Sequence, residues 1–186
     1  MDDVRVVLVV GVQGAGKSTV GRLLADRFDR AAFIEGDVLW QMVVSGRADM
    51  SAASDAGSEA AGQLALRYRH GALLAASYVA AGFTAVHVDN IYGPDVTSYL
   101  DGLICRRSLV VLCPRPDVIE ARERARGTSA YAGWTGPDRT LRQAIEQFDG
   151  WLRETPSIGL WLDSSDLDAD ATVDEIVRRW PETFVA

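Results

Sequence analysis

The stretch with the clearest chemical content is GVQGAGKST, residues 11–19, which directly follows a run rich in β-branched residues. Gly11, four residues, Gly16, Lys17 and Ser18 match the spacing G-x-x-x-x-G-K-[ST] of a phosphate-binding loop, or P-loop. Glycines let successive backbone N–H groups turn towards phosphate oxygens, and the following helix directs its positive end at the same anion. Lys17 reaches the β- and γ-phosphates, and Ser18 supplies a hydroxyl for Mg²⁺. The residues predicted to bind a nucleoside triphosphate are Gly11, Gly14, Ala15, Gly16, Lys17, Ser18 and Thr19.

Lysine is used once in this chain, at position 17, while 18 of its 19 basic residues are arginine. A lysine that persists against such a bias is expected to perform a task for which a planar guanidinium is unsuited, such as a point charge in a tight loop. The net charge of −7 and the lack of a long basic stretch argue against nucleic-acid binding, because phosphate backbones require many cations. An anionic ligand must therefore be held in a local pocket.

Carboxylates follow two short apolar runs. Asp89 comes directly after FTAVHV. A carboxylate at the end of a strand beside the P-loop is expected to hold Mg²⁺ through water or to contact substrate. The alternative is that Asp89 simply begins a loop. Glu35 and Asp37 come after AAFI, separated by one glycine. Asp37 is either a helix N-cap or a functional group, and the Trp at position 40 gives no capping box in support of the first interpretation. Strand alternation directs Glu35 away from Ile34, so Glu35 is expected to matter less than Asp37.

The segment DVIEARERARG, residues 117–127, carries three arginines on a predicted helix. Arg122 and Arg126 are four apart and share a helix face, where like charges repel. Arg124 has Glu120 four residues before it, which gives it an ordinary stabilising partner. Arg122 and Arg126 are therefore expected to stabilise charge on a transferring phosphoryl group, with a solvated basic face as the alternative.

Residues 127–137 are rich in glycine and contain Tyr131 and Trp134. Glycine hinges and exposed aromatic side chains are typical of a lid that closes over a nucleotide and excludes water. A plain loop with two half-buried aromatic residues is the alternative interpretation.

Short apolar runs alternate with helical patterns along the whole chain, which predicts an α/β domain with a parallel sheet and helices on both faces. A length of 186 residues fits one domain. Residues 38–45 are apolar on nearly all sides and are expected to form a covered helix. Gly71 is expected to weaken a long helix by roughly 1 kcal/mol. Strands are predicted at 4–10, 32–35, 83–88, 108–113 and 158–162, and helices at 17–28, 38–45, 59–81, 94–103, 116–126, 137–153 and 171–180.

Two other classes of P-loop protein fit less well. A GTPase switch reads guanine with N-K-x-D, which requires a second lysine that this chain lacks. A mechanical ATPase usually has a longer chain, a strand that ends in adjacent carboxylates and an arginine supplied by a neighbour. The two cysteines, Cys105 and Cys113, have no metal-site or redox spacing and are expected to be buried free thiols. The apolar run near the start is too short to span a membrane, so a cytoplasmic location is expected.

The order of these features resembles the small-molecule P-loop kinases, such as gluconate kinases, shikimate kinases and chloramphenicol phosphotransferases. The resemblance rests on GVQGAGKST, on EGD after the second strand, on Asp89 after the third, on an R-x-x-x-R helix and on a lid. It implies a five-stranded parallel sheet in the order 2-3-1-4-5. It also implies that Asp37, at the matching position, holds or deprotonates the acceptor hydroxyl. The GD of gluconate kinases is followed by His-Pro, whereas Val38 and Leu39 follow here, so the substrate does not carry over.

The chain is thus predicted to be an ATP-dependent phosphotransferase that uses Mg²⁺ and acts, as a monomer or homodimer, on a hydroxyl of a small molecule. Lys17, Asp37, Arg122 and Arg126 are the predicted catalytic residues, and Ser18 and Asp89 the predicted metal ligands. The expected acceptor side, residues 38–92, contains Trp40, Met42, Met50, Tyr68, Tyr78 and Tyr92. They favour a neutral or partly apolar alcohol, such as an antibiotic or another secondary metabolite, and the alternative is that they are core residues. A sugar acid is a further option. The alternative is a regulatory nucleotide-binding ATPase without a small acceptor.

Overall fold

A parallel β-sheet carries the site. The computed structural model describes residues 4–50, 53, 55, 57–127 and 130–186. Five strands run parallel in the order β2-β3-β1-β4-β5, and a short sixth strand pairs antiparallel with β4. The predicted strand order is confirmed, and the sixth strand was not predicted. The strands are β1 Val6–Gly11, β2 Ala31–Glu35, β3 Thr84–Asp89, β4 Arg107–Leu112, β5 Leu160–Leu162 and β6 Phe184–Val185.

Seven α-helices connect the strands of the described chain. Three have side-chain N-caps that fix where they begin: the Ser58 hydroxyl accepts from the Ala61 N–H at 3.0 Å, Thr140 forms a capping box with Gln143, and the Asp168 carboxylate accepts from the Ala171 N–H at 2.8 Å. The helix predicted at 116–126 has those bounds, and it ends at Gly127, whose φ of 72° only glycine adopts readily. The helices are α1 Lys17–Ala25, α2 Gly36–Gln41, α3 Glu59–Ala80, α4 Pro94–Asp101, α5 Pro116–Arg126, α6 Leu141–Arg153 and α7 Ala169–Arg178.

Helices cover both faces of the sheet, so its central strands are buried throughout. Every residue of β1 and β3 is buried, which explains why β1 reads as a continuous run of Val and Leu rather than as an alternation. The register aligns the carboxyl ends of three strands, because Val10 pairs with Asp89, and Val88 pairs with Glu35. The P-loop, Asp89 and Glu35 therefore meet at one edge of the sheet. Among the described residues, no helix combines the length and the apolar composition needed to cross a membrane.

The helix expected at 38–45 is wrong in extent and environment. α2 spans only Gly36–Gln41, and Val38 is 48% exposed, Met42 66% and Val44 94%. An apolar composition alone could not show that the helix packs on one side only, against α3 and β3.

Gly71, expected to be a weak point of α3, has a packing reason. A Cβ there would lie 2.3 Å from Cε1 of His87, so only glycine lets this helix approach β3.

Candidate active site at the P-loop

The P-loop is shaped by glycines in conformations that other residues rarely adopt. β1 ends at Gly11 and α1 begins at Lys17, with φ angles of 79° at Gly14 and 99° at Gly16 between them. A Cβ at Gly14 would also lie 3.0 Å from Oε1 of Glu123, so the loop is packed closely against α5. The first turn of α1 contains no acidic residue. Its free N–H groups and its helix dipole therefore present an uncompensated positive end to the space above the loop.

Lys17 is held across the mouth of the loop. Its Nζ donates a hydrogen bond of 2.9 Å to the carbonyl of Val12. Burial lowers the pKa of Lys17 to about 8, although the nearby carboxylates of Asp37 and Asp89 act in the opposite direction. A bound phosphate would stabilise the ammonium form, so the free site is poised to take up a proton together with an anion.

A cavity of about 350 Å³ lies above this loop; we call it the P-loop cavity. It brings together predicted residues from four distant parts of the sequence. Of the predicted site residues, the cavity is lined by Gly14, Gly16, Lys17, Ser18, Thr19, Asp37, Asp89 and Arg126. Gly11 lies at the end of β1, and Ala15 is buried within the loop.

Glu35 belongs to this cavity, contrary to expectation. The hydroxyl of Ser18 donates a short hydrogen bond to Oε1 of Glu35. Strand alternation does place Glu35 opposite the buried Ile34, but that opposite face is the one on which α1 and the P-loop lie. The inference that Glu35 points away from the site was therefore wrong.

Asp37 does not act as a helix cap. The N-cap position of α2 is Glu35, which makes no side-chain capping bond, and Asp37 lies inside the first turn. Its side chain is 67% exposed, and Oδ1 lies 3.5 Å from Nη1 of Arg67. Asp37 thus presents a free carboxylate edge to the P-loop cavity, beside a fixed cation.

Asp89 forms a buried ion pair with Arg67. Nε of Arg67 donates to Oδ2 at 3.1 Å, Nη2 donates to Oδ1, and the Asn90 N–H donates to Oδ1 at 2.6 Å. Burial alone would raise the pKa of Asp89, but hydrogen bonding from His87 and the charge of Arg67 outweigh it and hold the pKa well below its usual range. A Cβ at Gly36 would lie 2.2 Å from Oδ2, so the turn after β2 is packed directly onto this pair.

Arg67 is the main site residue that the sequence analysis missed. It lies on α3 with 7% of its side chain exposed, and it bridges Asp89 at the end of β3 and Asp37 on α2. Burial lowers the pKa of its guanidinium, but Asp89 raises it by more. The sequence shows Arg67 and Arg69 close together on an Ala- and Leu-rich helix, but it does not show which of the two faces inwards.

Arg122 and Arg126 of α5 have partners that are not found by looking for pairs four residues apart. Nη1 of Arg126 forms a salt bridge of 3.0 Å with the buried Glu123, three residues earlier. Arg122 donates to the carbonyls of Ala15 at 3.3 Å and Ser164 at 3.2 Å. The expectation that both lack a partner in the free protein is wrong, while the predicted Arg124–Glu120 pair is present at 2.7 Å. Arg126 lines the P-loop cavity, whereas Arg122 fastens α5 to the loop itself.

The segment predicted as a lid is anchored to the P-loop by its described part, and residues 128 and 129 lie outside the described residues. Tyr131 is fully buried rather than exposed, and its hydroxyl donates to the carbonyl of Gln13 at 2.7 Å. Oε2 of Glu123 accepts from the Ala130 N–H at 2.9 Å. Trp134 packs edge-on against Phe148, with ring centroids 5.0 Å apart. These contacts match the alternative of a loop with buried aromatic residues, and movement of the segment stays a prediction.

A second cavity of about 310 Å³ adjoins the first; we call it the aromatic cavity. Gln13, Met50, Arg67 and Asn90 line both cavities. Its aromatic walls come from α3, the loop after β3, the predicted lid and α6, namely Tyr68, Tyr92, Trp134, Phe148 and Trp151. Of the aromatic and Met residues predicted to form an acceptor side, Met50, Tyr68 and Tyr92 line it, whereas Met42 and Tyr78 are exposed.

The residues at the P-loop fit Mg²⁺. The described residues contain no cluster of three or more His, Cys, Asp or Glu that could enclose a metal by themselves. Mg²⁺ bound with a nucleotide needs only one or two protein oxygens, because phosphates and water complete its shell. The hydroxyl of Ser18 and the adjacent Glu35 carboxylate supply such oxygens. Asp89 fits the predicted metal-ligand role less well, since Arg67 occupies both of its carboxylate oxygens.

The strand order and the P-loop between β1 and α1 define a P-loop kinase fold, as predicted. The chain belongs to the AAA domain family, whose family model matches residues 6–151. No curated protein matches the chain.

Solved structures share the fold over nearly the whole chain. A tunicamycin resistance protein from Deinococcus radiodurans is 13% identical with a TM-score of 0.68, covering 98% of this chain and 99% of that one. A shikimate kinase from Acinetobacter baumannii, in complex with shikimate, is 17% identical with a TM-score of 0.64 and coverages of 97% and 94%. A sugar kinase from a Janibacter species is 15% identical with a TM-score of 0.62 and coverages of 97% and 94%. At such identities the likeness establishes the fold, and it names no substrate.

Proposed function

We propose that this protein is an ATP-dependent phosphotransferase that transfers the γ-phosphoryl group to a hydroxyl of a small molecule. The observation that carries the proposal is the junction of the two cavities, at which Arg67 and Asn90 line both. A molecule in the aromatic cavity would lie beside the phosphate end of the P-loop cavity. A regulatory ATPase that uses water as the acceptor needs no second cavity of about 310 Å³ at this place.

In this proposal each charged side chain has a defined task. The amides of the P-loop and Lys17 bind the phosphates. Asp37 orients the acceptor hydroxyl and accepts its proton, while Arg67 keeps that carboxylate in place. The acceptor oxygen forms a bond to the γ-phosphorus as the bond to the β,γ-bridging oxygen breaks, and the nucleoside diphosphate leaves with the electron pair.

Arg126 stabilises the charge of the transferring group. Its salt bridge to Glu123 engages Nη1, and its Nε and Nη2 carry further N–H groups that a phosphate oxygen can accept. Ser18 and Glu35 would hold Mg²⁺, which when bound neutralises charge on the phosphate oxygens. We propose that the protein is cytoplasmic.

The test is transfer of ³²P from [γ-³²P]ATP to a panel of alcohols, sugars and antibiotics, with phosphate release measured in parallel. Acceptor-dependent labelling that Lys17→Met abolishes, with an unchanged circular dichroism spectrum, is the expected result. Arg126→Ala should lower kcat by on the order of 10²-fold, and the matched control Arg124→Ala, which breaks only a surface pair, should be nearly neutral. Release of phosphate at the same rate with and without every acceptor would instead support the regulatory ATPase.

A further inference from the structure

The aromatic cavity is lined by two carboxylates besides the ion pair of Arg67. Asp95 lies in the first turn of α4, and Glu154 follows the last residue of α6. Oε2 of Glu154 lies 3.9 Å from the position that a Cβ of Gly93 would occupy, which places this carboxylate next to the start of α4. Within the described part of the chain, neither side chain makes a hydrogen bond or an ion pair. Both residues are exposed where they line the cavity, and no cationic side chain of the described chain pairs with them.

The same cavity has no spare positive charge. Among the described residues that line it, Arg67 is the one cation, and its guanidinium is already paired with Asp89 and lies near Asp37. The charged groups of the cavity that have no charged partner are thus anions, and they favour a ligand that carries positive charge.

The aromatic walls favour the same ligand. Phe148 is surrounded by Trp134 and Trp151, with ring centroids 5.0 and 4.9 Å away, and by Tyr92 at 6.2 Å. Faces of Trp and Tyr attract ammonium groups, and the attraction is greatest where water is excluded. Partial burial raises the pKa of Asp95, which a neighbouring cation would lower.

From these observations we propose that the acceptor is an amino alcohol, whose hydroxyl lies at Asp37 and whose protonated amine lies between Asp95, Glu154 and the aromatic walls. This inference rests on the phosphotransferase function proposed above and narrows its substrate class. Acceptors that bear a carboxylate, sugar acids among them, are disfavoured, because they would face two unpaired carboxylates and no free cation. A neutral alcohol would leave both carboxylates in contact with water and without an opposite charge.

The binding test uses three probes that share one aromatic scaffold and differ in charge. They are 2-amino-1-phenylethanol, which is a cation at neutral pH, neutral 1-phenylethane-1,2-diol and anionic mandelate. Affinities are measured by ligand-observed NMR on the whole protein with ADP and Mg²⁺. The cation should bind at least about tenfold more tightly than the anion, equivalent to about 1.4 kcal/mol. Equal affinities, no binding of the cation, or tighter binding of the anion would overturn the proposal.

Two variants separate a site from a general effect of surface charge. Asp95→Asn combined with Glu154→Gln should bring the cation and the anion within about threefold of each other. Asp170→Asn is the matched control, because Asp170 occupies the same place in the first turn of α7 and lines neither cavity. It should leave the preference unchanged. A preference that persists in the double variant, or that disappears in the control, would overturn the assignment.

The transfer assay distinguishes failure of this inference from failure of the proposed function. Phosphorylation restricted to neutral or anionic alcohols would overturn the amino-alcohol assignment and keep the phosphotransferase. A cation preference in binding, with no transfer to any cationic, neutral or anionic alcohol, would overturn the phosphotransferase and with it the role of the amine as part of an acceptor. Transfer that is strongest for cationic alcohols, and that the double variant lowers through a raised KM with kcat retained, supports both.

Discussion

Replacing Arg67 by Met should be among the most damaging single changes in the chain. Met keeps much of the side-chain volume but removes the charge, so the buried carboxylate of Asp89 loses two charge-assisted hydrogen bonds. With 7% of Arg67 and none of the Asp89 side chain exposed, water cannot replace them. Breaking a buried pair in this way typically costs about 3–5 kcal/mol, a large part of the roughly 5–15 kcal/mol that stabilises an ordinary domain.

Urea unfolding at neutral pH measures this loss, and a second variant tests its cause. If the cost comes from the unpaired charge of Asp89, then Arg67→Met combined with Asp89→Asn should recover at least half of the lost free energy of unfolding. A loss below about 1 kcal/mol in the single variant would refute the importance of the pair. A double variant as unstable as the sum of the two single variants would refute the uncompensated-charge explanation.

The pH dependence of the same variants follows from the direction of the pKa shift. In the wild-type protein Asp89 is more acidic when folded than when unfolded. Its contribution to stability is therefore present at neutral pH and is lost as the pH falls below the ordinary range of an aspartate, because the unfolded chain binds a proton first. Without Arg67, burial disfavours the charged carboxylate, so proton uptake favours the folded state. The difference in stability between wild type and Arg67→Met should shrink as the pH falls towards about 4, and a constant difference would contradict this account.

Three further outcomes are expected. The pKa of Lys17 in the free protein is about 8, and phosphate binding favours its ammonium form. ATP affinity measured by calorimetry should therefore fall by up to about tenfold per pH unit above pH 8. An affinity that does not change with pH in that range would contradict this account. Asp37→Asn should keep stability and ATP affinity while the rate of phosphoryl transfer falls by roughly 10²- to 10⁴-fold, and a normal rate in this variant would exclude Asp37 as the base. Glu35→Gln should instead weaken Mg²⁺-dependent ATP binding. Gly36→Ala should lower the free energy of unfolding by about 1–3 kcal/mol, because its Cβ would lie 2.2 Å from a buried carboxylate oxygen, while Gly62→Ala, with open space around it, should be neutral or stabilising.

Features that depend on residues close together in the sequence could be predicted from the sequence alone. The P-loop requires glycines and a lysine at fixed spacing, and α5 is bounded by Pro116 and by Gly127, so both could be placed without knowledge of the fold. Strand order came from the resemblance to a known family rather than from periodicity. β6 could not be predicted, because a pair such as Phe184 with Ser108 depends on where the chain end reaches β4.

Contacts between distant elements account for the remaining differences. Arg67 and Asp89 are 22 residues apart, and only the packing of α3 against β3 brings them together. Alternation placed Glu35 on the correct face of β2, but nothing local shows that the P-loop covers that face. The role of Glu123 could not be predicted from its helix alone. Its carboxylate accepts hydrogen bonds from Arg126, in the same helix, and from the backbone N–H of Ala130, beyond the end of that helix. Site residues of this kind become visible only once the sheet is assembled.

The single lysine gives the protein a chemical property that is independent of the reaction it performs. The other basic side chains are 18 guanidinium groups and two imidazoles, so Lys17 is the one side-chain amine in the chain. Its lowered pKa, about 8, leaves more of it unprotonated and nucleophilic near neutral pH than an ordinary lysine would be. Apart from an α-amine at the start of the chain, an acylating reagent specific for amines would therefore label this protein at the nucleotide site. Bound nucleotide would protect the amine, so the extent of labelling would report occupancy of the site directly.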